Sequence, residues 1–420
     1  MQFDRMVTAL GLEEHASLLR PRWEESQRSL PSGEIEFLTA AFLRRAAEDV
    51  PSAPEGIEAA IAAAATVAGD EALRALAWHY HCFLYGGERP DWHRATHWPR
   101  LAEGLGETAR LFNSLVLLSG LSRMHAEHRA HGVPAEVIGA TLANVRAGLG
   151  GPQDDHGPGM SPRNVAWFSN FLRGELYRLG RLQFQFGTFG RPLRAFRHRE
   201  SRVVLALSEG GTRFRADGQR ATAEEEGWTT TLEVNEGGAM GYPILPTGAA
   251  ARRVVSLPAG EWEEVLTPSD PALWVHIPGG GGEPMAFDAC GDSFRQALEF
   301  YPRHYPCFAF RAFVCESWIL NTWFEAALPP TSNMRRFQRE VYLFPCDLHP
   351  EEPVHMAFGH HGTPLDLRQA PRDTSLRRAV LEVLEAGGQI PTGGGGCFLL
   401  REDVRWGEEV YRRQVLPFEL

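Results

Sequence analysis

Four side chains stand at the ends of two apolar segments and have the types that proton transfer or nucleophilic attack requires: His276, Cys315, Glu316 and Ser317. The longer segment belongs to Phe308–Phe337, FAFRAFVCESWILNTWFEAALPPTSNMRRF. Its first half is almost unbroken apolar and aromatic sequence, short and rich in strand formers, which predicts a strand covered on both faces. In such a strand Cys315 and Ser317 share one face and Glu316 takes the other. Cys315 is a covalent nucleophile if it ionises and an inert core thiol if it does not. Ser317 is a proton donor or a hydroxyl tied to backbone, and Glu316, if buried, needs a partner. His276 closes the second segment, ALWVHI; it is either a satisfied core histidine or, because an unperturbed imidazole titrates near neutrality and a glycine run follows it, the best general base by location. Directly after it, Gly279, Gly280, Gly281 and Gly282 precede a helix. The run reads either as a plain turn or as backbone amides presented to a phosphate.

A rival signal lies in the first half of the chain, where His79, His81, His93, His97, His125, His128 and His131 fall close together. HRATH has the i, i+4 spacing of two ligands on one helix face but lacks the glutamate of HExxH. No histidine group has a complete ligand set with a fitting carboxylate or thiolate, so no metal is expected. His360 and His361 read as a loop.

The composition narrows the classes further. The chain has 420 residues, enough for two domains, and a net charge of −11 that argues against a nucleic-acid partner. Its 42 basic residues are all arginine, which excludes a Schiff-base or Walker-type lysine in this chain. The six cysteines form no CxxC pair, and the opening MQFDRMVTALGLEEH carries acids where a signal peptide would be apolar. No apolar stretch reaches transmembrane length. These features predict a cytoplasmic protein with reduced thiols and no membrane segment.

The elements that must position the candidate residues follow from the periodicity. Residues 1–150 read as helices, with Ile35, Leu38 and Phe42, then Ile57, Ile61, Ala64 and Ala68, then Leu73, Leu76 and Tyr80 recurring at helical spacing. Residues 151–162 are rich in Gly, Pro and Asp and read as a linker. Residues 163–420 form the second domain. Trp167, Phe171 and Leu176 predict a helix closing at Gly180, after which Leu182, Phe184 and Phe186 alternate with Gln183 and Gln185 as a half-buried strand. Thr322 and Glu325 have capping-box spacing, Gly393–Gly396 reads as a tight turn before a final strand, and Thr374 or Ser375 caps a helix that Gly387 stops. An all-helical first domain followed by a mixed α+β domain results.

ELYRLGRLQFQF, WVHIP, DSFRQALEFYPRHYP, FVCESWIL, SNMRRFQ and DTSLRRAVLEVLEAGG occur in that order between Arg163 and Gly396. Together they resemble a bacterial acyltransferase family with a helical N-acyltransferase-type N-terminal domain and a GNAT-like C-terminal domain. The resemblance implies acyl transfer from acyl-CoA, a co-substrate, to an amine or hydroxyl of a small-molecule acceptor. It implies that pantetheine lies beside ALWVHI, that FAFRAFVCESWIL is splayed from it, and that Gly279–Gly282 and the following helix face the pyrophosphate. The usual phosphate loop, Gln or Arg followed by x-x-Gly-x-Gly/Ala, is absent. PGGGGEP stands in its place, Asp288 and Asp292 lie close by, and arginines must neutralise phosphate. Two other classes remain beside this one: a metal-dependent enzyme on the histidine cluster, and a non-catalytic binding protein on a degenerate acyltransferase fold.

Overall fold

The structure is a computed structural model that describes residues 1–50, 54–87, 90–150, 160–279, 285–347, 354, 357–358, 365–388, 390 and 394–416. The chain forms two compact units, Met1–Arg178 and Leu179–Leu420. Most of the expected linker, 151–159, lies outside the described residues, and the division between the units falls after the Pro162–Leu172 helix.

The first unit is helical. Met6, Trp23, Leu76, Tyr80, Val116, Met124 and Phe171 are buried in its core, where Tyr80 stacks on Trp98 with ring centres 3.7 Å apart. Each large apolar side chain buried this way contributes roughly 1.5–3 kcal/mol. The apolar pattern from Ile57 to Tyr80 is two helices, Pro54–Gly69 and Glu71–Tyr85. Asp70 separates them: its Oδ1 accepts from the amides of Ala72 and Leu73 and starts the second helix afresh. The helix expected to close at Gly180 ends at Leu172. Gly174 at φ 70° turns the chain there, and Leu176 opens a short strand, Leu176–Leu179.

In the second unit the strands relevant to the site are β1 (Leu182–Thr188), β2 (Leu193–His198), β3 (Val204–Ser208), β4 (Trp262–Leu266), β5 (Pro271–His276), β6 (Ala312–Ser317), β7 (Tyr342–Cys346) and β8 (Gly394–Leu400). Five of them lie side by side in the order β1-β5-β6-β8-β7. Only β5 and β6 run parallel; the other neighbours are antiparallel. The connection from β5 to β6 carries the Phe287–His304 helix, whose Phe294 meets Phe184 and Phe313 at 5.8 and 4.9 Å and whose Tyr301 meets Phe186 at 5.1 Å. A second sheet, β4-β2-β3 with Pro243–Ile244, is joined to β7 through Tyr342, whose hydroxyl donates to the Ile244 carbonyl and accepts from the Ala206 amide.

Two local expectations change. Asn321, not Thr322, caps the Trp323–Ala327 helix: its Oδ1 accepts from the Trp323 amide at 2.9 Å, while Thr322 already has helical angles and no capping bond. Gly394, Gly395 and Gly396 are already strand, paired to β7 and β6. A Cβ on Gly395 would stand 1.7 Å from the Leu320 carbonyl oxygen, and one on Gly396 would stand 2.0 Å from the Phe344 ring. Close approach, not turn geometry, requires glycine at both positions. The Ser375–Glu385 helix matches its reading: Thr374 Oγ1 accepts from the Arg377 amide and Gly387 stands at φ 71°. No helix among the described residues is long and apolar enough to cross a membrane.

Candidate active site

The central feature is a pair of parallel strands that part company. β5 and β6 pair at Ala272–Ala312, Leu273–Phe313 and Trp274–Val314, and their ladder ends there. Both strands continue, each held on its outer side. β5 stays paired to β1 through His276–Gln183, and β6 stays paired to β8 through Ser317–Gly395. A wedge therefore opens between Val275–His276 and Cys315–Ser317, the ends where all four predicted side chains sit.

Register assigns those side chains to faces. Residues directly opposite in a ladder point the same way, so Trp274, His276, Gln183, Gln185, Val314 and Glu316 share one face. Two contacts agree with this. His276 Nε2 lies 3.0 Å from Gln185 Oε1, and Arg191 joins Trp274 to Glu316. Cys315 and Ser317 project from the other face, with Phe313 and Cys397. The register thus places His276 and Glu316 on one face of the sheet, and Cys315 and Ser317 on the other.

Each environment has its own electrostatics. His276 is half-buried, and loss of solvent pushes its pKa down to about 4, so the imidazole is neutral at pH 7. Cys315 is buried directly opposite Cys397, and the two thiols are hydrogen-bonded. Burial and that contact raise the Cys397 thiol well above its ordinary range, which keeps it protonated. Glu316 does find the partner that burial demands, since Arg191 Nη1 donates to its Oε1 at 2.6 Å.

Of the glycine run, Gly279 is exposed three residues beyond His276, and Gly280, Gly281 and Gly282 lie outside the described residues. The helix that follows has Asp288 in its first turn and no side-chain cap at Ala286. Arg336 places its guanidinium 3.7 Å from the centre of the Phe287 ring, bringing positive charge to that end. The described histidines of the first unit do not gather into one site. His125 bonds Asp49 at 2.8 Å, His81 bonds Ser119 at 2.8 Å, and His97 bonds the His93 carbonyl at 2.7 Å. Among the described residues, no group of three or more His, Cys, Asp or Glu is arranged to hold a metal ion.

Sequence reasoning missed Arg191, Trp274 and Gln185. Trp274 reads as one more apolar residue of a buried strand, and Gln185 as the solvent side of an amphipathic one. Arg191 stands in a Gly-Arg-Pro loop with no periodicity to tie it to Glu316, 125 positions away. The one available signal was Gly187, an interruption in a strand that marks close approach by a large group.

Residues 41–174 match the N-acyltransferase N-terminal domain, and residues 176–397 match the GNAT-like C-terminal domain. Among solved structures, the fold is similar to that of an acyltransferase mutant in complex with octanoyl-CoA. That match has a TM-score of 0.64 at 22% identity and covers 95% of this chain and 99% of the other. An acyltransferase in complex with decanoyl-CoA and teicoplanin matches with the same values. One in complex with CoA and 10C-teicoplanin matches at 0.62 and 23%, over 94% and 99%. At these identities the likeness establishes the fold. No curated protein has a matching sequence.

Proposed function

The chain belongs to the acyltransferase family built from an N-acyltransferase N-terminal domain and a GNAT-like C-terminal domain, and on that premise we propose that it moves an acyl group from acyl-CoA to an amine or hydroxyl of a small-molecule acceptor. The observation that carries this reading is the wedge between β5 and β6, where two parallel strands stop pairing with each other while each remains paired outward. A thioester needs such a gap to enter a sheet without unfolding it.

In this reading the acceptor approaches on the face of Trp274, His276 and Glu316. His276, neutral because it is desolvated, takes the proton the nucleophile loses as the new bond forms to the thioester carbonyl. The C–S bond then breaks, and Ser317, on the other face of β6, protonates or orients the departing thiolate, recovering any proton it gives from solvent while His276 returns its own to solvent. Cys315 is the alternative as a covalent acyl carrier, but its thiol faces Cys397 and not the imidazole. Gly279–Gly282 and the helix from Phe287 receive the pyrophosphate, with Arg336 among the arginines available to neutralise it. The neighbours solved with octanoyl-CoA, decanoyl-CoA and teicoplanin support a medium-chain donor and a small-molecule acceptor. The absence of cysteine pairing fits a reducing compartment, the cytoplasm of a bacterial cell.

Calorimetry with CoA, octanoyl-CoA and decanoyl-CoA, together with thiol release in the presence of amine acceptors, tests the reading. Acyl-CoA binds and turns over. Ser317→Ala loses about tenfold in rate and Cys315→Ala less than about threefold, both small beside the loss of a general base. An inactive Cys315→Ala with a covalent acyl-enzyme in mass spectra would establish transfer in two steps. Absence of acyl-CoA binding would leave a binding protein on an acyltransferase fold.

A further inference from the structure

The wedge is open in its backbone but bridged on one face by side chains. Gly187 of β1 lies against the indole of Trp274, so close that a Cβ there would stand 2.7 Å from Trp274 Cδ1. Trp274 Nε1 donates to the Thr188 carbonyl at 2.8 Å, which fixes the ring over β1. The guanidinium of Arg191 lies 4.9 Å from the centre of that ring, and its Nη1 reaches Glu316 Oε1 at 2.6 Å. The loop carrying Arg191 is itself anchored. The amides of Phe189 and Gly190 donate to the carbonyls of Asp270 and Pro268, each at 2.8 Å, immediately before β5 begins. Gly190 supplies the positive φ of 62° that the turn requires. The result is a stack of backbone, indole, guanidinium and carboxylate that starts at the last residue of β5 paired to β6 and ends on β6 past the point where that ladder stops.

A guanidinium stacked on an indole and bonded to a carboxylate has little orientational freedom, and it passes that rigidity on. Arg191 Nε is buried with no hydrogen-bond partner among the described residues. Maximal satisfaction of this arginine therefore does not explain its placement; the position of the group at its far end does. That group, Glu316, lies on the face of His276, where a neutral amine that attacks a thioester leaves a proton and a transient positive charge.

We propose that Arg191 is a positioning residue for acyl transfer. Clamped on Trp274, it holds the Glu316 carboxylate at the open end of the wedge, on the acceptor side. The fixed carboxylate then stabilises the cation formed when His276 accepts the proton of the acceptor amine. The overall step forms one C–N bond and breaks one C–S bond; the amine proton passes to His276 and on to solvent, while the thiolate is protonated on the Ser317 side with a proton that solvent resupplies. This rests on the acyl-transfer reading above, and the experiment separates the two.

The test is a double-mutant cycle of Arg191→Met and Glu316→Gln, with Arg191→Lys as the conservative variant, on the full chain. For each protein kcat and KM are measured, acyl-CoA affinity is obtained by calorimetry, and folding is checked by circular dichroism. Arg191→Met keeps an apolar stem over Trp274 but removes the cation. It lowers kcat by about 10- to 100-fold, the scale of a misplaced group in a pre-organised site, with acyl-CoA affinity changed less than threefold. Arg191→Lys restores part of the loss. In the Glu316→Gln background, Arg191→Met has no further effect, because the group it positions is gone. Additive losses in the cycle, or a kcat within twofold of the parent in Arg191→Met, would overturn the proposal. If Arg191→Met does not fold, Trp274→Phe weakens the stack while keeping a ring. It lowers kcat about three- to tenfold in the parent background, in line with loss of one cation–π contact, and leaves Glu316→Gln unchanged. Failure of the unmodified protein to bind or turn over acyl-CoA instead overturns the reading beneath it.

Discussion

Histidines in the two units share one perturbation but stand in very different surroundings. His79, His81 and His128 of the helical unit and His276 of the mixed unit are all pushed by burial down to about 4. His79 packs on Trp23 with ring centres 5.0 Å apart and meets Ser26 at 2.9 Å. His81 packs against both Phe37 and Trp78, with ring centres 5.2 and 5.0 Å away. Both are components of a packed helical core. His276 has the same shifted pKa, yet it stands at the end of a strand whose ladder to its neighbour has just ended. A perturbed imidazole therefore marks burial, and it is the end of the ladder beside His276 that sets it apart as the candidate for the proposed acyl transfer.

The comparison breaks most sharply under alanine substitution. His276→Ala should lower turnover by on the order of 10² to 10⁴, the usual worth of a general base, and leave most of the stability intact. His79→Ala should do the reverse. It removes a ring from beside Trp23 and costs about 2–4 kcal/mol of unfolding free energy, while kcat per folded molecule stays within a factor of two. Denaturant titration and initial rates on both variants give the readings. Equal effects of the two substitutions on rate would erase the distinction between a core histidine and a site histidine.

An acid titration sharpens the contrast at a smaller scale. A histidine whose folded pKa is about 4 and whose ordinary value is 6.5 binds fewer protons folded than unfolded between those values. Its contribution to stability is complete above about pH 6.5 and is lost as pH falls towards 4, at up to about 1.4 kcal/mol per pH unit. Among the described residues the helical unit has three such groups and the mixed unit has His276. Amides of Glu71–Tyr85 should therefore lose hydrogen-exchange protection, corrected for intrinsic rate, before those of Ala312–Ser317 as pH drops from 7 to 4. Loss in the opposite order would mean that carboxylates of the mixed unit dominate its acid response.

How much of this could be read from residues alone depends on distance along the chain. The buried strands ending in His276 and in Cys315–Ser317 were legible because a continuous apolar run with polar ends is a local signal. So was the assignment of Glu316 to the face opposite Cys315, which follows from a period of two. The pairing of the two strands needed the family resemblance, and the residue at which they separate needed the structure. Arg191 was invisible because its role depends on a turn, a stack and an ion pair, none of which leaves a periodic trace. Leu176 misled because its spacing from Phe171 fits a helix, while Gly174 between them ends it. Thr322 misled for a related reason: a capping-box spacing specifies two side chains but not the backbone angle, and Asn321 has the extended angle that a cap needs.

The smallest effect concerns a histidine of the helical unit, His128. Among the described residues neither ring nitrogen of His128 has a hydrogen-bond partner, and the side chain is buried beside Tyr177, whose ring centre lies 5.5 Å away. The ring already carries the cost of two unsatisfied polar atoms at neutral pH, and at acid pH it also resists a charge that nothing compensates. His125 and His131, one turn to either side, oppose that charge further. A leucine has nearly the same volume, no polar atom and no proton to bind. His128→Leu should therefore be within about 1 kcal/mol of the parent at pH 7, since replacing an unsatisfied polar group by an apolar one of similar shape is close to neutral. Below pH 6.5 the variant should become the more stable of the two, because it escapes one of the three losses in the helical unit, and the gap should stop widening near pH 4. Urea midpoints at pH 7, 6, 5 and 4.5 measure the crossover. A constant difference across that range would show that His128 does not titrate between the folded and unfolded states, and one member of the helical set would have to be withdrawn from the comparison.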